Sequence, residues 1–163
     1  GRVPRPPVEG APPVREAVPG DAAALAGLRG HAPEDVLRLI VAPGHVYLVA
    51  EGSDGLLGYA ELVEVHTLQY RGFWLESLLD RSGGARASAP DADADWAGAG
   101  WTGAVRTAKA LASAALEAAK RRADLELVGR LALPVDRDAY AACISEGFRH
   151  MGTYRVLVRD LDR

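Results

Sequence analysis

The sequence predicts a mixed α/β domain built around one central sheet, and three observations predict it. Apolar residues alternate through 45–51, 56–66 and 72–80, as half-buried strands require. A long Ala-rich stretch at 101–122 carries the strongest helical signal. The C-terminal third then passes from strand to helix to strand, the last helix stopping on Gly147-Phe148. The resulting order, β-α-α-β-β-β-loop-α-β-α-β, belongs to the α/β (α+β) class with a largely sequential sheet.

Composition narrows the function classes. At 163 residues the chain has the length of one domain and enough of it to bury a core. It is 48% apolar and 25% charged, as soluble globular proteins are. A net charge of −3 argues against nucleic acid as a partner, since phosphate binding normally leaves a basic excess. One cysteine, Cys143, allows no internal disulfide, so the fold does not depend on an oxidising compartment. No apolar run reaches the ~18–20 residues needed to span a bilayer, and no basic-then-apolar leader opens the sequence. The expected location is cytoplasmic, with no membrane partner. Lys109 and Lys120 are the only lysines among 19 basic residues, and with the Ala and Gly content this points to a high-GC bacterial genome.

Each element has a local cause. Residues 1–13 hold five prolines and no periodicity, which predicts a flexible tail ahead of a single domain over 14–163. "VREAV" at 14–18 is a short strand, and Asp21 is placed to cap the helix "AAALAGLRG". Pro33 opens a second helix, with Glu34 and Asp35 at its positive end. Pro43-Gly44 breaks that helix, and "GSDG" at 52–55 turns between two strands. The strand over 72–80 alternates Trp74, Glu76 and Leu78 against Phe73, Leu75, Ser77 and Leu79. Residues 81–100 are Ala/Gly/Asp-rich without periodicity, a loop insertion that is either functional or disordered. Helix 101–122 ends on Lys-Arg-Arg, at its negative pole. A strand over 125–135 follows, then a helix that Asp136 is placed to cap, and a final strand at 153–161.

That order and the C-terminal residues resemble the GNAT superfamily of acyl-CoA-dependent N-acetyltransferases. The family ending is Asn-x-x-Ala-x-x-Leu-Tyr-x-x-x-Gly-Phe before a strand. Here Asp136 stands for the Asn, Ala139 matches, Ala142 replaces the Leu, Cys143 replaces the Tyr, and Gly147-Phe148 match. The resemblance covers about 14–161 and implies a mixed sheet of six to seven strands flanked by about four helices. It implies an enzyme that moves acetyl, or another short acyl group, from acetyl-CoA to the amine of a small-molecule acceptor. The alternative is a GNAT-fold protein without catalysis that binds acyl-CoA or a metabolite as a sensor or partner domain. The expected partners are acyl-CoA, the amine and a second copy of the chain in a homodimer.

The resemblance also implies site residues. The family's acyl-CoA motif, Gln/Arg-x-x-Gly-x-Gly/Ala, opens the central helix, where backbone N–H groups hold the pyrophosphate. The register adopted puts Thr107 at the Gln/Arg position, Ala110 at the first Gly and Ala112 at the second, with Ala108, Lys109 and Leu111 between them. Arg106 supplies positive charge beside them. Backbone groups of Leu78 and Leu79 polarise the thioester carbonyl and pair with the pantetheine arm in this reading.

Glu76 stands where relatives carry a glutamate base, with Phe73 and Trp74 expected to desolvate it; the plainer alternative is a solvated strand acid. Cys143 stands where relatives place the tyrosine that protonates the departing thiolate. Tyr140, one turn earlier, is the substitute, and a buried packing role is the alternative for the cysteine. His31, His45, His66 and His150 show no metal-ligand spacing, so no metal is expected. His66 and Tyr70 are expected in a loop facing the acceptor.

Overall fold

The computed structural model describes residues 10–66, 71–80, 103–122, 127–129 and 137–149. Strands β1 (Val14–Glu16), β2 (His45–Gly52), β3 (Gly55–His66), β4 (Arg71–Asp80) and β5 (Leu127–Gly129) form one sheet in sequential order. Helices α1 (Ala22–Arg29), α2 (Pro33–Ile40), α3 (Gly103–Arg121) and α4 (Arg137–Ser145) cover it. The first four strands pair antiparallel, with α1 and α2 between β1 and β2, and β5 joins β4 in parallel. A parallel neighbour needs a crossover, which α3 supplies.

The sheet therefore has five strands among the described residues, not the six to seven expected. The strand expected at 153–161 lies outside the described residues, as do residues 1–9 of the tail, the loop over 81–100, Tyr70, Asp136 and His150. Of the strand expected at 125–135, residues 127–129 are described. His66 is the last residue of β3, opposite Arg71, rather than part of a loop. No described helix is long and apolar enough to cross a membrane.

The two faces of the sheet bury different residues. On one, Leu48, Leu62, Phe73 and Leu75 meet Ala108, Leu111, Ala112, Ala115 and Ala119 of α3, with Ala139, Ala142 and Cys143 of α4 behind. These α3 positions recur every three or four residues, which makes one apolar stripe. On the other face, Leu25, Ala26 and Val36 of α1 and α2 cover Tyr47, Val49 and Tyr59.

Two local expectations change. Asp21 makes no side-chain cap to α1. Its carboxylate instead accepts from Arg15 at 2.7 and 2.9 Å and from the Val18 N–H at 2.8 Å, tying β1 to the turn that precedes the helix. In β4 the alternation breaks. Leu62 pairs with Leu75 and Glu61 with Ser77, so Glu76 is the extra residue of a β-bulge. The bulge flips the parity beyond it, and Leu78 joins Phe73 and Leu75 in the α3-side core.

The Gly-Phe ending behaves as its chemistry dictates. Gly147 takes φ 91°, a left-handed conformation that costs glycine nothing. The Phe148 N–H then reaches back to the Cys143 carbonyl at 3.1 Å, and its ring packs on the α3-side core.

Candidate active site

The parallel pairing of β4 with β5 runs from Gly72–Leu127 to Trp74–Gly129. Beyond Trp74 no described strand pairs with that side of β4, while β3 continues along its other side to Asp80. The bulge at Glu76 sits two residues past the last described rung between β4 and β5, and the Glu76 side chain is exposed. The expected desolvation of Glu76 is absent. Phe73 points into the α3-side core and is 1% exposed, while the Trp74 indole lies over Gly129.

Helix α3 runs antiparallel to β4, because the crossover must return the chain to the start of a parallel strand. Its N-terminus accordingly lies at the end where β4 finishes. Among the described residues α3 starts at Gly103, and Thr107 stands one turn beyond that point. Thr107, Ala108, Leu111 and Ala112 are buried at 2% exposure or less, facing the sheet, and Lys109 and Ala110 are half-buried. Lys109 lies 3.9 Å from Glu146. Arg106 is exposed and runs beside the N-terminal segment, where a Cβ on Gly10 would stand 3.2 Å from its Nη1. A better-spaced signal stands in the sequence itself, Gly98-Ala99-Gly100 with Asp95 three residues earlier; these residues lie outside the described ones.

The remaining site residues are not brought together. Cys143 is 4% exposed and packs in the α3-side core. Tyr140, one turn earlier on α4, is 42% exposed. Leu78 is buried in the same core, and Leu79 pairs with Tyr59 along β3.

A polar cluster that the sequence did not reveal occupies the other face. Glu61 of β3 is 4% exposed. It accepts from Arg29 Nη1 at 2.7 Å and from the Tyr47 hydroxyl at 2.5 Å. Arg29 also donates to the Tyr47 oxygen, and its guanidinium carbon lies 5.5 Å from the Tyr47 ring centre and 5.8 Å from that of Tyr59. Burial, then the Glu61 carboxylate, pushes the Tyr47 phenol well above the ordinary tyrosine range, so it stays a donor. Burial opposes charge on Arg29, but Glu61, Tyr47 and Tyr59 more than offset it, and its pKa is raised. His45 completes the group, its Nδ1 buried 3.5 Å from Glu61 without a hydrogen-bond partner. The signal for this cluster was Tyr59 and Glu61 at alternate positions of one strand; its partner, Arg29, comes from a helix that no local pattern ties to it.

No protein-family model matches the sequence, and no curated protein matches it. Solved structures match its fold. A putative acetyltransferase from Arthrobacter sp. FB24 is 21% identical, with TM-score 0.62 over 94% of this chain and 99% of that one. The aminoglycoside N-acetyltransferase AAC(6')-Iy, solved in complex with CoA, is 13% identical, with TM-score 0.64 over 91% and 99%. The ribosomal-protein-alanine N-acetyltransferase from Brucella melitensis biovar Abortus 2308 is 15% identical, with TM-score 0.62 over 91% and 100%. The chain has the GNAT acetyltransferase fold.

Proposed function

We propose that this protein is an acyl-CoA-dependent N-acyltransferase, moving acetyl or another short acyl group to the amine of a small-molecule acceptor. The observations that support the reading are the likeness of the fold to the acetyltransferases above and the Glu76 bulge in β4, a strand that runs toward the end of the sheet where α3 begins. In this reading an extended pantetheine arm lies along β4 as a further strand would, and a pyrophosphate meets the positive pole at the start of the helix. Residues 103–106, with the Arg106 guanidinium, are the proposed phosphate contacts. The Gly98-Ala99-Gly100 spacing is their sequence counterpart.

The chemistry asks for a proton acceptor near the thioester, because an alkylammonium must lose a proton before its nitrogen attacks. Glu76 is the proposed acceptor: its exposure leaves it open to the amine directly or through one water. The amine nitrogen forms the bond to the acyl carbon, the C–S bond breaks, and CoA leaves as thiolate, which water protonates. Cys143, buried in the core, is assigned to packing.

Release of free thiol from acetyl-CoA, screened over small amines after a thermal-shift test for CoA binding, tests the reading. Glu76→Gln should lower the rate at neutral pH by about 10²–10⁴ and leave acyl-CoA affinity unchanged. The burial of Cys143 where relatives carry a tyrosine favours a second reading, a binding protein without turnover. Tight acyl-CoA binding with no thiol release on any amine would establish that one instead.

A further inference from the structure

Strand β4 carries its bulge where it runs beside Glu61. Leu62 pairs with Leu75, and an unbroken ladder would next set Glu76 opposite Glu61, Ser77 opposite Ala60 and Leu78 opposite Tyr59. The observed rungs are instead Glu61–Ser77, Ala60–Leu78 and Tyr59–Leu79. One residue, Glu76, is left over.

Two differences separate the registers. The bulged one gives the α3-side core Leu78 in place of Ser77. It also gives Glu61 a serine as its cross-strand neighbour in place of a second carboxylate. Side chains directly opposite stand about 4.5–5.5 Å apart at Cβ, and like charges there repel. Glu61 is not free to turn aside. It is 4% exposed, its Oε2 accepts from Arg29 at 2.7 Å, and its Oε1 accepts from the Tyr47 hydroxyl at 2.5 Å. Both partners lie off β4, on α1 and β2, so the buried charge is fixed on its rung. Glu76, pushed out of register beside it, is exposed.

We propose that Glu61, clamped by Arg29 and Tyr47, is a positioning residue: its buried charge keeps the bulge in β4 and so fixes where the Glu76 carboxylate stands for the incoming amine. This rests on the role given to Glu76 above. Glu61 acts through the backbone rung it shares with Ser77 and touches no substrate.

NMR contacts between backbone protons of facing strands read the register without knowledge of the acceptor. In the native protein, position 61 should meet Ser77. Glu61→Leu combined with Arg29→Met replaces the ion pair by apolar side chains and leaves no orphaned charge. In that double variant the contact from position 61 should move to Glu76 in most molecules. Glu61→Gln, which keeps the shape, serves if the double variant fails to fold, and should move the contact in the same direction. Leu62→Ala, on the opposite face, should weaken the fold yet leave the contact on Ser77, so lost stability does not imitate the result. With an amine that supports thiol release, the shifted variants should lose about ten- to a hundredfold in kcat while KM for acetyl-CoA stays as it was. Position 61 still opposite Ser77 in a folded Glu61 variant overturns this inference and leaves the acyltransferase reading standing. A moved rung with unchanged kcat overturns the link to Glu76. Should the native protein release no thiol on any amine, the acyltransferase reading and the link to Glu76 both fall, and the rung still decides whether Glu61 holds the bulge.

Discussion

The two faces of the sheet are held by different forces. Toward α3 the contacts are small and apolar: five alanines of the helix, at positions 108, 112, 115, 118 and 119, lie in one core with Leu111, Phe73 and Leu75. Toward α1 and α2 the core contains an ion pair whose side chains are 14% and 5% exposed, Arg29 and Glu61, roofed by the stacked rings of Tyr47 and Tyr59 at 6.4 Å. Alanine packing sets how near α3 comes to the strands but tolerates sliding. Directional bonds allow one arrangement only, so the end of α1 is pinned to β2 and β3. The helix expected to carry phosphate is thus placed by shape, and the opposite wall by hydrogen-bond geometry.

Adjacent residues of β3 offer the sharpest way to break this contrast. Glu61→Ala leaves the buried guanidinium unpaired and should destabilise by about 3–5 kcal/mol. Adding Arg29→Met should restore part of that, because the orphaned charge is gone. Leu62→Ala, on the other face, should cost about 2–5 kcal/mol through the cavity it leaves, and no second deletion should rescue it. Chemical denaturation of the three variants decides between them. If Arg29→Met worsens Glu61→Ala, the two faces do not differ in the way described.

A smaller effect is expected from overfilling the apolar face. Ala112 is fully buried between α3 and the sheet. Ala112→Leu should cost about 1–3 kcal/mol, as extra methylenes push the helix outward. Because α3 would carry the phosphate contacts, the same variant should weaken acetyl-CoA binding in calorimetry, and wild-type affinity would show the helix position to be uncoupled from the site.

The smallest effect tests the border between the faces. The Arg15 guanidinium, bonded to Asp21, holds that carboxyl below its usual range, with the Val18 N–H helping and burial opposing. A lowered folded-state pKa means stability that is present above the unfolded value of about 4 and is lost as pH falls through the lowered one. Asp21→Asn should therefore reduce Tm by about 2–4 °C at neutral pH, matching about 1 kcal/mol, and the gap should close below about pH 4. A gap that stays constant down to pH 2 would mean that the charge of Asp21 contributes nothing.

Much of this architecture was legible in advance because its causes are local. The helix stop at Gly147 needs only a residue without Cβ at a left-handed φ, and the start of α2 at Pro33 needs only a residue lacking an N–H the helix would not use. Strand alternation found β2, β3 and β4 to within a residue or two. Pattern failed where a cause lay across the chain. The Glu76 bulge arises from register against β3, and a single inserted residue moved Leu78 to the face opposite the one its position in the alternation indicated.

By itself, then, the sequence determined the order of the elements, the GNAT resemblance and the apolar stripe of α3, since each depends on neighbours within a few turns of chain. Tertiary structure alone decided what the side chains meet. It put Arg29 and Glu61 together across 32 residues, buried Cys143 while leaving Tyr140 exposed, and laid Trp74 on Gly129 across the β4–β5 pairing. Such meetings depend on which surfaces the sheet and helices bury together. Burial is settled by the whole fold, because an unpaired charge or an unfilled space becomes costly only after water has been excluded from it.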